Sequence, residues 1–226
     1  MEHARADQLR AAQLKAEALF RAVETRELIR PGLSESDLND AIYALAEELF
    51  GISTYWHKRI VRAGANTLEP YAANPPNLRI SANDIFFLDL GPVFSGWEAD
   101  FGRTFVTGPD PLRNKLRHDV EEAFGLGKCF FNESPGITAR ELFEYAQSLA
   151  QSYGWEFGGP MAGDLIGNFP HERIAGDKIS LYIHPRNDLP MRSLDANGHQ
   201  RHWILEMHFV DRKRQIGGFF EELLTI

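Results

Sequence analysis

Asp89 stands in an apolar run, Phe86-Phe87-Leu88-Asp89-Leu90, and Asp100 follows eleven residues later, just before a second strand-like run from Arg103 to Val106. A carboxylate in such a run is costly to bury unless something neutralises it. Glu206 lies likewise in the run WILEMHF, residues 203–209, and Glu221 and Glu222 lie in GFFEELLTI, residues 218–226. A lone acid in a strand ordinarily faces solvent. Acids on several apolar strands are a different case, because their mutual repulsion in a low dielectric demands bound cations or shared protons. Such a cluster points to a carboxylate-rich binuclear site, whose hard oxygen donors suit Mn, Co, Fe or Zn better than a thiolate set would.

The elements that position these acids show internal repetition. Residues 31–50, PGLSESDLNDAIYALAEELF, align with residues 135–154, PGITARELFEYAQSLAQSYG, at an offset of 104. Each opens with Pro-Gly and a hydroxyl N-cap: Thr138 with Glu141 makes a capping box, and Ser34 with Asp37 a weaker one. Leu38, Ile42, Leu45 and Leu49 then mark one helical face. Amphipathic stretches at about 4–29 and 111–133 precede these helices. Strands are expected at Ile85–Leu90, Arg103–Val106, Trp203–Phe209 and Gly218–Ile226. The pattern predicts one α/β domain over residues 1–226, built of two similar halves, about 1–110 and 111–226, with a site between them.

Composition narrows the function classes. With 226 residues, 43% hydrophobic, the chain is long enough for a packed core. A formal charge of −8 and a pI near 5.5 argue against nucleic acid as a partner. Cys129 is the single cysteine, which excludes an internal disulfide and fits a reducing compartment. There is no signal-type N-terminus and no apolar run long enough for a membrane span. A cytoplasmic location, without membrane or nucleic-acid partners, is expected.

In chain order these segments resemble the pita-bread metallopeptidases, the group that includes methionine aminopeptidase, prolidase, aminopeptidase P and creatinase. Asp89 and Asp100 in LDLG and ADFGRTF are similar to that family's first metal-binding segment. GDLIGNFPHERI, residues 163–174, resembles its Gly-His-Gly-Ile-Gly segment with the following His-Glu. LEMHF falls at its Thr-Ile-Glu-Pro-Gly glutamate, and GGFFEELLTI at its closing Arg-x-Glu-Asp. The resemblance implies a pita-bread α/β (α+β) fold: two pseudo-symmetric halves with a curved antiparallel sheet covered by helices, here as a stand-alone catalytic domain. It also implies that Asp89, Asp100, Asp164, Glu206 and Glu221 hold two divalent ions. A hydroxide bridging ions roughly 3.5–4 Å apart would attack the carbonyl of a peptide or small amide. Glu206 would carry the proton, His171 would stabilise the oxyanion and contact substrate, and Tyr71 would stand in the substrate pocket, for which Trp97 is a candidate on its aromatic character alone. A homodimer is expected on the same ground.

The departures bear on activity. Asp164 stands where the family has a metal-binding histidine, so five carboxylates face two divalent ions with one negative charge in excess. That surplus weakens Lewis acidity and favours harder ions. A working site of altered metal preference, a site with one ion or none, and an inactivated site all remain open. His171, His184 or His208 are the candidate substitute ligands. Tyr71 stands at or beside the family's upstream histidine, and Phe219 replaces the arginine of the closing motif. The connection from about His184 to His202 reads as an insertion at the pocket mouth. Tyr55, Trp56 and His57, with Trp97, are candidates for an aromatic pocket wall. Besides a Xaa-Pro-type aminopeptidase or dipeptidase, a creatinase-type small-molecule hydrolase or lyase and a non-catalytic binding module fit these residues.

Overall fold

The computed structural model describes residues 2–171, 178–195 and 197–226. Its helices begin where side chains satisfy the free amides of the first turn. Helix α1 (Glu2–Thr25) leads to α2 (Glu35–Phe50), and α3 (Pro111–Glu133) leads to α4 (Ala139–Tyr153). Ser34 caps α2 and Thr138 caps α4, both in complete capping boxes, and Gly51 and Gly154 end the two helices in the left-handed conformation. The expected repetition is therefore present in matching detail. Asp110 caps α3, with Pro111 in its first turn.

The strands are β1 (Ile60–Ala63), β2 (Asp84–Leu90), β3 (Val93–Phe94), β4 (Trp97–Glu98), β5 (Phe101–Thr107), β6 (Glu156–Phe157), β7 (Leu165–Ile166), β8 (His202–Asp211) and β9 (Ile216–Leu223). The main sheet runs β1-β2-β5-β9-β8-β6 with antiparallel pairing throughout, and β7 pairs with β8. From its middle the order is the same in both directions: β5, β2, β1 on one side and β9, β8, β6 on the other. Each half contributes a hairpin and a short outer strand.

Strand periodicity separates the two faces of this sheet. Phe86, Leu88, Leu90, Phe101 and Phe105 pack under α1 and α2, while Leu205, Met207, Phe209 and Phe220 pack under α3 and α4. The alternate positions, Phe87, Asp89, Gly102, Glu206, His208, Phe219 and Glu221, project from the other face. Among the described residues no helix is long and apolar enough to cross a membrane.

The structure refines several sequence expectations. All four expected strands are present with ends shifted by up to three residues, but β1, β6 and β7 were not anticipated, being short or lacking a clear alternation. Asp100 does not follow a plain loop: the β3–β4 hairpin intervenes, and β5 begins one residue after Asp100. Among the described residues the 184–202 connection does not line the pocket. It lies against the start of α4, where Ala139 N–H donates to Leu189 O and Arg140 N–H to Asn187 O. Arg192 ties it further to the carbonyls of Phe131 and Ser134.

Candidate metal centre

Register brings the acids together. Asp89 pairs with Gly102, Gly102 with Glu221, and Glu221 with Glu206. One transverse row of the sheet therefore carries three carboxylates from β2, β9 and β8, with Gly102 between them on β5. A Cβ at Gly102 would lie 2.4 Å from Phe219 Cε1 and 3.0 Å from Glu221 Cβ. Gly102→Ala is expected to destabilise the fold by about 1–3 kcal/mol and to displace Phe219 and Glu221, which melting curves and metal titration together would reveal.

Asp100 enters beside this row from the β4–β5 junction, and Asp164 enters just ahead of β7, where Ile204 N–H donates to its carbonyl at 2.8 Å. All five acids line one cleft of about 340 Å³. Phe87 and Phe219 stack at 5.0 Å on its wall, each meeting the His208 ring edge-on at 5.9 Å. His208 is held by the Thr67 carbonyl at 2.8 Å, and burial lowers its pKa to about 4. It is neutral at physiological pH.

The carboxylates are electrostatically strained in the metal-free fold. Burial, with the charges of Asp89 and Asp100, raises Glu206 to about 8. Burial also raises Asp89 to about 7, the attraction of His57 working against the shift and the charge of Asp100 with it. Glu221 is pushed well above its ordinary range by burial, then by Asp100, Asp89, Glu206 and Asp164. Among the described residues its Oε2 is buried with no hydrogen-bond partner, and Asp89 Oδ1 has a 3.5 Å ion-pair contact from His57 but no hydrogen bond. Orphaned carboxylate oxygens converging from separate strands fit hard divalent ions.

Two features of this neighbourhood were not legible in the sequence. His57, expected only as an aromatic wall, brings its Nε2 to 3.1 Å from Asp100 Oδ1 and 3.5 Å from Asp89 Oδ1. One ligand atom from each of these three residues falls within 4.8 Å of the others. Burial alone would lower the pKa of His57, but Asp100 and Asp89 raise it to about 10. The second feature is Glu98, fully buried, whose carboxylate accepts from Gly167 N–H at 3.0 Å and His171 N–H at 3.1 Å and closely contacts His171 Nδ1. It fastens the 167–171 segment to the first half.

Of the expected pocket residues, Tyr71 does line the cleft. Its ring lies 5.9 Å from His57 and its hydroxyl accepts from Lys58 N–H at 3.1 Å. Trp97 does not: in the two-residue strand β4, Glu98 points inward and Trp97 packs towards Leu9, Ile166 and Ile204. His171 is likewise absent from the lining among the described residues, and its ring lies 5.2 Å from that of Trp56. The Glu172 expected to follow it falls outside the described residues. None of the substitute ligands expected from sequence, His171, His184 or His208, is placed against the acids; His184 stacks on Phe143.

An antiparallel sheet of two matching halves, covered by helices and centred on a carboxylate cluster, defines a metallohydrolase-like architecture. Residues 7–195 match the profile of metallopeptidase family M24, and the chain belongs to that family. Its fold is the family's pita-bread fold. A Xaa-Pro dipeptidase of Pyrococcus horikoshii is 30% identical over 115 residues, 50% of this chain and 32% of that protein. Among solved structures, a prolidase from Thermococcus sibiricus superposes with a TM-score of 0.71 at 22% identity, covering 96% of this chain and 56% of that one. A methionine aminopeptidase from Rickettsia prowazekii gives 0.67 at 18% identity, covering 97% and 96%. The chain thus spans only part of the length of the dipeptidases it matches.

Proposed function

We propose that this chain is a peptidase acting on short peptides or peptide-like amides, of the Xaa-Pro dipeptide kind, at a centre for two divalent ions. The observation that carries this reading is the transverse row Asp89–Gly102–Glu221–Glu206, flanked by Asp100 and Asp164 in one cleft. Bound cations would supply water activation and carbonyl polarisation. Glu206, in the same cleft, is the group assigned to take up and return a proton. Phe87 and Phe219 give the cleft an apolar wall, and Tyr71 lines it as well.

Purified protein loaded with Mn²⁺ or Co²⁺ and assayed on a panel of Xaa-Pro dipeptides is expected to release proline, and to lose that activity in chelator and in Asp89→Ala. Absence of both hydrolysis and metal uptake would defeat the reading. One observation favours the alternative of a metal-free binding module: His57 forms ion-pair contacts with both Asp89 and Asp100, so part of the cluster is neutralised from within. Metal content near zero in protein purified without chelator decides for that alternative.

A further inference from the structure

We infer that His57 is itself a metal ligand, donating Nε2 to an ion shared with Asp89 and Asp100, so that this side of the centre is a mixed nitrogen–oxygen site for a first-row transition cation. The inference rests on the metal-centre reading above and concerns which residues complete it.

Five carboxylates around two divalent ions leave an excess negative charge, to which a neutral imidazole donor, unlike a further acid, adds nothing. Among the described residues, His57 is the histidine whose ring nitrogen meets the cluster. The ring is oriented as a ligand would be. Its Nδ1 lies 2.8 Å from the carbonyl of Lys58, which can only accept, so Nδ1 carries the proton and Nε2 is the atom directed between the aspartates. A backbone carbonyl on the far nitrogen is the usual arrangement that fixes the tautomer of a metal-bound histidine.

The fold also reserves space for this ring. A Cβ at Gly91, at the end of β2, would lie 2.1 Å from His57 Cδ2 and 2.4 Å from His57 Nε2. Trp56 packs edge-on against His57 at 4.5 Å, its indole N–H donating to Ala99 O at 3.0 Å, while its backbone N–H donates to Gly91 O at 2.9 Å. The ring is thus held against the segments just after β2 and just before β5, beside both aspartates. Nitrogen donation moves preference away from Mg²⁺ and Ca²⁺ towards Co²⁺, Fe²⁺ and Zn²⁺.

The test uses the whole chain and Co²⁺ alone. Wild-type protein is expected to bind Co²⁺ with a visible d–d spectrum and a paramagnetically shifted, exchangeable imidazole N–H resonance. His57→Gln is expected to lose that resonance, alter the spectrum and weaken binding on the order of a hundredfold. Because the resonance is read on wild-type protein, a misfolded variant does not blunt the test: bound Co²⁺ without any shifted imidazole N–H overturns the inference. So does a His57→Gln variant with unchanged affinity and spectrum, and in both cases the metal-centre reading survives. No Co²⁺ uptake by wild-type protein overturns both.

Discussion

Glu221→Gln is expected to cut metal-dependent turnover on the order of a thousandfold or more, and at the same time to make the metal-free protein more stable. The two effects have one cause. Glu221 sits in the middle of the acidic row, paired across strands with Gly102 and Glu206, and its Oε2 has no hydrogen-bond partner among the described residues. Burial and four neighbouring acids raise its pKa well above the ordinary value. An amide of the same shape removes that repulsion, so the chelated variant should melt higher, by about 2–4 °C per kcal/mol gained in a chain of this size. The oxygen ligand is weakened at the same stroke, so metal stoichiometry and turnover fall. Melting curves in chelator, beside metal titrations and dipeptide assays, read both effects. Unchanged turnover and stoichiometry, or a lower apo melting temperature, would show that Glu221 is not part of such a centre.

Metal affinity is expected to rise about a hundredfold per pH unit between pH 6 and 7, because ligands must shed protons to bind. In the metal-free fold Glu206 titrates at about 8 and His57 at about 10, while Glu221 lies well above its usual range. At least two protons therefore leave on binding at neutral pH, and each contributes about tenfold per pH unit. Calorimetry in buffers of different ionisation enthalpy counts them directly. Release of less than one proton at pH 7 would contradict the strained cluster described here.

Stability without metal should run in the opposite direction. The native state holds protons on Glu206 above the ordinary 4.5 and on His57 above the ordinary 6.5, where the unfolded chain has already lost them. That difference makes stability fall as pH rises, Glu206 contributing from about 4.5 to 8 and His57 from about 6.5 to 10. His208, lowered to about 4, favours the native state only as pH climbs to 6.5 and is silent above it. Saturating metal reverses the trend, adding about 4 kcal/mol per site at a thousandfold excess over Kd.

How much of this was legible in the sequence depends on how local the signal is. The capped helices were readable because hydroxyl, Pro-Gly and acidic third position lie within a few residues of one another, and the same grammar recurs 104 residues later. The strand acids were readable because a carboxylate between large apolar residues announces its own cost. Trp97 misled because an aromatic beside a candidate site looks like a pocket wall, whereas the alternation of β4 turns it outward and Glu98 inward. His171 misled for a related reason: motif order placed it near the acids, but Glu98 draws its imidazole beside Trp56.

By itself, then, the sequence determined that Asp89, Glu206 and Glu221 lie on buried strands and that two similar halves surround them. Burial and periodicity are properties of the chain within a few residues. Tertiary structure alone decided that Asp89, Glu221 and Glu206 share a single row, since a cross-strand register is set by hairpins and by the β5–β9 junction between halves. It alone selected His57 as the imidazole facing them. That choice depends on a cradle at Gly91 and a carbonyl at Lys58, brought together by β1–β2 pairing, and no local pattern around residue 57 encodes it.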